Sequence, residues 1–348
     1  MNRHFVWSAA LTVALVALGC GGTETITIGT KSFVEQAIVG QLARQLLHAE
    51  TQVRAQVVEC GDTFECQEAL RGGRIDLMVE YTGTAALYLG LDPADPEVVQ
   101  KITQRYGEGG FDWRSPLGFD NSYRLAVSSR AASRHGLASI VQLTKLPGGV
   151  RVACPRTYLR RPRDGLAALT ERHGFRLRGD PLVLDSPSER IDAVLAGRAD
   201  VAVVYGTDGA LRNGGITLLL DSLDFFPRYD AAWLVRRDAL GHFVGLEGIL
   251  EQLEGKLDAE VMQELNYAAQ IEGWKPANVA RRFLVSRDML QGGPTAKPGR
   301  LKLVLAVTAA DELEQQRTRA TQALRQVFPE RPVEVRETAE PVKLVAKG

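Results

Sequence analysis

Four of the eight tyrosines in this 348-residue chain, Tyr81, Tyr123, Tyr205 and Tyr229, fall where the sequence pattern places strand ends or loops. A box of aromatic faces is the physical answer to a quaternary ammonium group. Such a cation has no N–H to donate and is held by ring quadrupoles and apolar contact. Each face is worth roughly 0.5–2 kcal/mol, so several are needed for micromolar binding. Tyrosine serves better than phenylalanine because its hydroxyl can be satisfied at a wet rim. A tyrosine at a strand end is also a common half-buried core residue, so spacing alone leaves each of the four open between ligand and core.

The elements that must position these rings are legible in a repeat. Residues 62–81 and 186–205 carry nearly the same pattern and both end on a tyrosine. Asp62 and Ser186 each stand three residues before a glutamate, the spacing of a capping box, and Pro187 falls at the first helical position. Gly73 and Gly197 suit helix C-termini, and the apolar runs 75–79 and 199–204 predict strands buried on both faces. Tyr81 and Tyr205 therefore emerge at the C-terminal ends of two parallel strands, the edge where open α/β sheets bind ligands. A unit built twice implies two similar lobes facing one ligand.

Around those strand ends lie groups that can receive a carboxylate. Thr82, Gly83 and Thr84, with Thr207, Asp208 and Gly209, offer backbone N–H groups and hydroxyls. The stretch Gly29 to Ser32, including Lys31, can do the same or simply cap the next helix. Gln36, one turn into that helix, reads from its position alone as a surface residue. Catalysis has little support: His173 sits at a helix end where it complements the dipole, and no Ser or Cys occupies a nucleophile elbow. Gly107-Glu-Gly-Gly110 lacks the ending of a phosphate loop and reads as a turn. The five histidines include no pair at metal-ligand spacing with another His or a Cys, so neither metal nor cofactor is expected.

The 42 basic and 42 acidic residues balance, which removes any electrostatic case for nucleic acid. The N-terminus has a basic head, Asn2-Arg3-His4, followed by the apolar run 5–18, too short to span a membrane and right for a signal sequence over 1–19. Ala17-Leu-Gly-Cys20 looks like a lipoprotein cleavage site, so Cys20 is the expected lipid anchor, holding the mature chain outside a bacterial membrane. Of the remaining cysteines, Cys60 and Cys66 are close enough to bridge in an oxidising compartment, the alternative being two separate thiols. Cys154 reads as a buried apolar residue.

Along the chain, a strand at 25–28 and a helix at 33–49 open a βα alternation that resumes at Val150 and runs to Tyr205. The pattern divides into 25–126 as the first part of one lobe, 127–228 as the second lobe, and 229–291 as a return with terminal helices. A Gly/Pro-rich linker then precedes a βαβ-like extension at 299–348, of open role.

At these residues the chain resembles the substrate-binding proteins of osmoprotectant ABC importers, which take up glycine betaine, carnitine, choline and similar compounds. The resemblance rests on Ile28-Gly-Thr-Lys-Ser-Phe-Val-Glu-Gln36, Gly73-Arg-Ile-Asp-Leu-Met-Val-Glu-Tyr-Thr-Gly-Thr84, Gly118-Phe-Asp-Asn-Ser-Tyr-Arg-Leu-Ala-Val127, Arg163-Asp-Gly-Leu166, Gly206-Thr-Asp-Gly209, Phe225-Phe-Pro-Arg-Tyr229 and Leu265-Asn-Tyr267. It implies an α/β, type II-like two-lobe periplasmic-binding-protein fold with the ligand in the cleft, no enzymatic activity, and ABC permease subunits as partners. It implies that Tyr81, Tyr123, Tyr205 and Tyr229 cage the ammonium group, and that Gln36 and Thr84 hold the carboxylate or line the pocket. Cys60-Gly-Asp-Thr63 departs from the Gly-Gly-Thr run usual in the family, which puts the pocket wall there in question. Thr84 adds no fixed negative charge, which favours zwitterions over bare choline. A sensory receptor that passes closure to a signalling partner is the alternative reading, and an enzyme on the same scaffold a more distant one.

Overall fold

The computed structural model describes residues 25–291. The expected signal segment, Cys20 and the extension at 299–348 lie outside the described residues. Among the described residues ten strands form two five-stranded sheets. The first contains β1 (Thr25–Lys31), β2 (Arg54–Gly61), β3 (Leu77–Tyr81), β4 (Phe111–Asp120) and β10 (Asp230–Arg236), in the order β2-β1-β3-β10-β4. The second contains β5 (Tyr123–Ser128), β6 (Val152–Cys154), β7 (Leu182–Val183), β8 (Val201–Tyr205) and β9 (Ile216–Leu219), in the order β7-β6-β8-β5-β9. Each sheet has three parallel strands followed by an antiparallel crossing strand, β10 in one and β5 in the other. This is the expected two-lobe α/β fold.

The repeat folds as its pattern dictates. Asp62 accepts from the backbone N–H of Phe64 and Glu65 while Glu65 reaches back to the Asp62 N–H, a complete capping box for the helix Thr63–Arg71. Ser186 caps the helix Pro187–Leu195 through the Glu189 N–H. Gly73 and Gly197, just past the two helix ends, sit at φ +68° and +70°, where a side chain would be strained. β3 and the first four residues of β8 are buried throughout, as runs covered on both faces must be.

In the first lobe the helix Val34–Glu50 turns Ile38, Val39, Leu42, Ala43, Leu46 and Leu47 onto the sheet at helical spacing, all fully buried. The helices Leu246–Leu253, Ala259–Gln270 and Pro276–Ser286 join that core, with Trp233 at its centre. The opposite face of the sheet packs against the helices Thr63–Arg71 and Val98–Glu108. Cys60 and Cys66 are disulfide-bonded and fasten the end of β2 to the start of its following helix. Cys154 is buried and free.

The lobe boundary expected between 126 and 127 lies a few residues earlier: the strand run breaks at Asn121 and Ser122, and β5 belongs to the second sheet, paired with β8 and β9. The break carries no Gly or Pro signal. It is made by side chains: Asp120 accepts from the Ser122 and Tyr229 N–H groups, Ser122 Oγ donates to Asp120 and Pro227, and the Asn121 N–H donates to the Tyr229 carbonyl. Those bonds tie the outgoing crossing at Asn121 to the returning one at Tyr229. Although burial would push the Asp120 carboxyl up, these hydrogen bonds and Arg124 outweigh it and hold it below its usual value.

Candidate functional site

Tyr81 and Tyr205 are the last residues of β3 and β8, and Tyr123 is the first residue of β5, directly opposite Tyr205 in antiparallel register. The Tyr123 and Tyr205 rings stack with centroids 4.8 Å apart, and their hydroxyls are 3.1 Å apart. Tyr229 ends the returning crossing, and its ring lies against Gly83, where an added Cβ would fall 2.7 Å from the ring carbons. Tyr81 is nearly buried between Phe33 and Phe119, and its hydroxyl donates to Glu35 Oε1 at 2.7 Å. Burial pushes the hydroxyls of Tyr81, Tyr205 and Tyr229 up, so all three remain phenols.

A cation already lies on these rings. The Arg161 guanidinium is 5.2 Å from the Tyr123 centroid and 5.9 Å from that of Tyr229. It donates to the Tyr229 hydroxyl at 2.5 Å and forms a two-point pair with Asp164. Arg161 lies outside the expected site residues. The available signal is its i,i+3 spacing to Asp164 beside the Arg163-Asp-Gly motif.

Behind the rings runs a buried polar network. Glu35 accepts from Tyr81, from Asn121 Nδ2 at 3.0 Å and from Asn266 Nδ2 at 3.0 Å. Asn121 Oδ1 accepts from Thr207 Oγ1, and Asn266 also donates to the Thr207 carbonyl. The Gly206 carbonyl and Gly209 N–H are bonded by Gln263 and Gln270, so the helix Ala259–Gln270 braces the loop after Tyr205. Asp208 accepts from the Tyr205 N–H, and burial pushes its carboxyl up to about 6. Glu35, Asn121 and Asn266 were not singled out from sequence; Glu35 was legible only as a polar residue among the apolar ones of its helix.

Several expected contacts are placed elsewhere. Both ends of the Gln36 amide are taken by backbone: Oε1 accepts from the Lys31 N–H at 2.9 Å and Nε2 donates to the Val79 carbonyl at 2.8 Å. Gln36 is fully buried and cross-links β1 to β3, which corrects the surface reading. Lys31 gives its ammonium to Glu80 at 2.5 Å and is buried, so its charge is already matched. Thr207 is buried with its hydroxyl engaged by Asn121. Thr84 is half-buried in the first turn after Tyr81, and Ser32 is exposed, its N–H donating to the Gly61 carbonyl. His173 is the last residue of the helix Leu166–His173, as expected, and its ring is buried against Phe225. An open groove of about 660 Å³ lined by Arg71, Phe111, Arg236 and Arg237 lies at the opposite edge of the first sheet and holds none of the four tyrosines.

The profile of the substrate-binding domain of ABC-type glycine betaine transport systems matches residues 24–286. The carnitine transport binding protein OpuCC of Listeria monocytogenes is 28% identical over 286 residues, covering 80% of this chain and 92% of that protein. A glycine-betaine-binding protein of Pseudomonas aeruginosa is 28% identical over 313 residues, covering 86% and 99%. A solved structure of a glycine betaine/carnitine/choline ABC transporter component superposes with a TM-score of 0.68 at 26% identity, over 76% of this chain and 98% of that one.

Proposed function

The chain belongs to the family of substrate-binding domains of ABC-type glycine betaine transport systems, and on that footing we propose that it holds a quaternary ammonium compound between Tyr81, Tyr123, Tyr205 and Tyr229. The protein is a transport receptor and not an enzyme; ATP is consumed by other subunits. The observation that carries the proposed site is Arg161. A planar cation rests on two of the four rings, and a site that accepts a guanidinium on its aromatic faces offers the same attraction to a trimethylammonium group.

Ligand entry then displaces the guanidinium from those faces. A zwitterion offers Arg161 a carboxylate in exchange, so the cation of the ligand takes the rings while its anion takes the arginine. Choline has no anion to offer. The reading therefore favours glycine betaine or carnitine over choline. Thr84, next to the Gly83 on which the Tyr229 ring lies, lines the pocket, whereas Lys31, Gln36 and Thr207 shape it from behind. The lobes contribute rings from both sides, so only the closed state assembles the whole cage, and ligand shifts the population toward it. Cys20 is the proposed lipid anchor that keeps the receptor beside its permease.

Calorimetric titration of the purified protein with glycine betaine, carnitine and choline, alongside Tyr81→Ala and Tyr205→Ala, tests this reading. Micromolar binding that both substitutions weaken by about 30-fold or more is the expected result. Folded protein that binds none of the three would overturn it.

A further inference from the structure

Glu35 is 3% exposed, and no Lys, Arg or His among the described residues lies within ion-pair distance of it. Its neighbours are donors: the Tyr81 hydroxyl and Asn121 Nδ2 on one oxygen, Asn266 Nδ2 on the other. A carboxylic acid would have to donate a proton of its own into that set, whereas a carboxylate accepts from every member. The geometry is that of a carboxylate solvated by dipoles with no cation beside it among the described residues; burial pushes the Glu35 carboxyl up, and the Tyr81 and Asn266 hydrogen bonds oppose that shift. Burying such a charge is unfavourable unless something compensates it.

We infer that Glu35 is a positioning residue for the ligand's cation, placing a full negative charge behind the Tyr81 ring and fixing that ring's orientation. This rests on the tyrosine-cage reading above. A phenol that donates to a carboxylate shares its proton and carries more electron density in the ring, which deepens the quadrupole a cation feels. Lys31 Nζ also stands 5.4 Å from the Tyr81 centroid, but Glu80 matches that charge. The same carboxylate reaches the other rings through short links. Asn121 is two residues before Tyr123, and Thr207, bonded to both Asn121 and Asn266, is two residues after Tyr205. One anion in the first lobe thus sets three of the four tyrosines, and quaternary ammonium ligands supply the missing positive charge without a proton to lose.

The test is a double-mutant cycle of Glu35→Gln and Tyr81→Phe, read by calorimetry with glycine betaine and by displacement with 3,3-dimethylbutanoate, its uncharged-carbon isostere. Thermal melts check that each variant is folded. Each single substitution is expected to weaken glycine betaine by about tenfold, with the double variant within about twofold of the weaker single. The isostere, lacking the cation, should shift by less than about twofold. An additive cycle, or equal losses for betaine and its isostere, would reduce Glu35 to a structural residue. If Glu35→Gln does not fold, Tyr81→Phe alone decides: unchanged betaine affinity overturns the inference. If the isostere binds neither protein, the cycle decides. Wild-type protein that binds no quaternary ammonium compound would instead sink the cage reading itself.

Discussion

Tyr123 and Tyr205 are register partners across the β5–β8 pair, and their stacked rings and paired hydroxyls make one aromatic wall from two strands of the second lobe. Removing either ring also unstacks the other. Tyr123→Ala and Tyr205→Ala should each weaken glycine betaine by about 30-fold or more, at or above the top of the roughly 0.5–2 kcal/mol of one face. The double variant should be scarcely weaker than either single, because the wall is lost once. Calorimetry on the three variants measures this, and additive losses would show two independent rings.

On the proposed reading, Arg161 separates ligands by their anion. Arg161→Ala frees the faces of Tyr123 and Tyr229 but removes the carboxylate partner. Glycine betaine should bind at least about tenfold more weakly, the worth of a charge-assisted pair, while choline is unchanged or tighter. Parallel titrations with both ligands read the difference; equal losses would remove Arg161 from ligand discrimination.

Gly209 is where the second lobe touches the brace. A Cβ there would lie 2.5 Å from the Tyr267 backbone nitrogen and 2.7 Å from the Asn266 carbonyl carbon, neither of which can rotate away. Gly209→Ala should cost about 1–3 kcal/mol of stability and weaken ligand binding with it. At Gly83 the clash is mostly with the Tyr229 ring, so Gly83→Ala should lower affinity with a smaller change in melting temperature. Melting and calorimetry on both variants make the comparison.

His173 gives a pH signature. Its side chain is fully buried, with neither ring nitrogen hydrogen-bonded and Asp221 3.8 Å away, and burial lowers its affinity for a proton more than Asp221 restores it. A group with a depressed folded value stays neutral in the native state. Its contribution to stability is therefore present above the unfolded value of about 6.5 and is lost as pH falls through the folded one. Thermal melts from about pH 8 to about pH 5 should show a steeper acid loss in the wild type than in His173→Gln.

The Cys60–Cys66 bond closes a short loop from the end of β2 into the first turn of the helix Thr63–Arg71. Chain-entropy reasoning puts its worth at about 2 kcal/mol for so small a loop. Reduction, or a Cys60→Ser/Cys66→Ser variant, should lower the melting temperature while leaving glycine betaine affinity within about twofold, since no cage residue lies in the loop.

What could be read from sequence were features whose causes are local. Asp62, Ser186 and Pro187 announce helix starts by their own side chains, and a fully apolar run such as 201–204 has no choice but burial. Those two facts place Tyr81 and Tyr205. Harder to read were features decided by partners distant in sequence. Gln36 looks like any polar residue of a first turn until β3 supplies the Val79 carbonyl. β5 joins the second sheet because Asp120 and Ser122 bond to a segment more than a hundred residues away. Arg161 and Glu35 meet the rings they contact only when separate strands bring those rings beside them.

The two crossings between the lobes are bonded to each other at Asn121 and Tyr229, and β5 and β10 begin at Tyr123 and Asp230. Rotation at these crossings cannot proceed without moving Tyr123 and Tyr229. If the proposed cage holds the ligand, pivot and binding surface are one mechanical part, and the residence time of the bound compound is expected to be the lifetime of the closed hinge; a permease that pries the crossings apart would then eject its cargo in the same stroke.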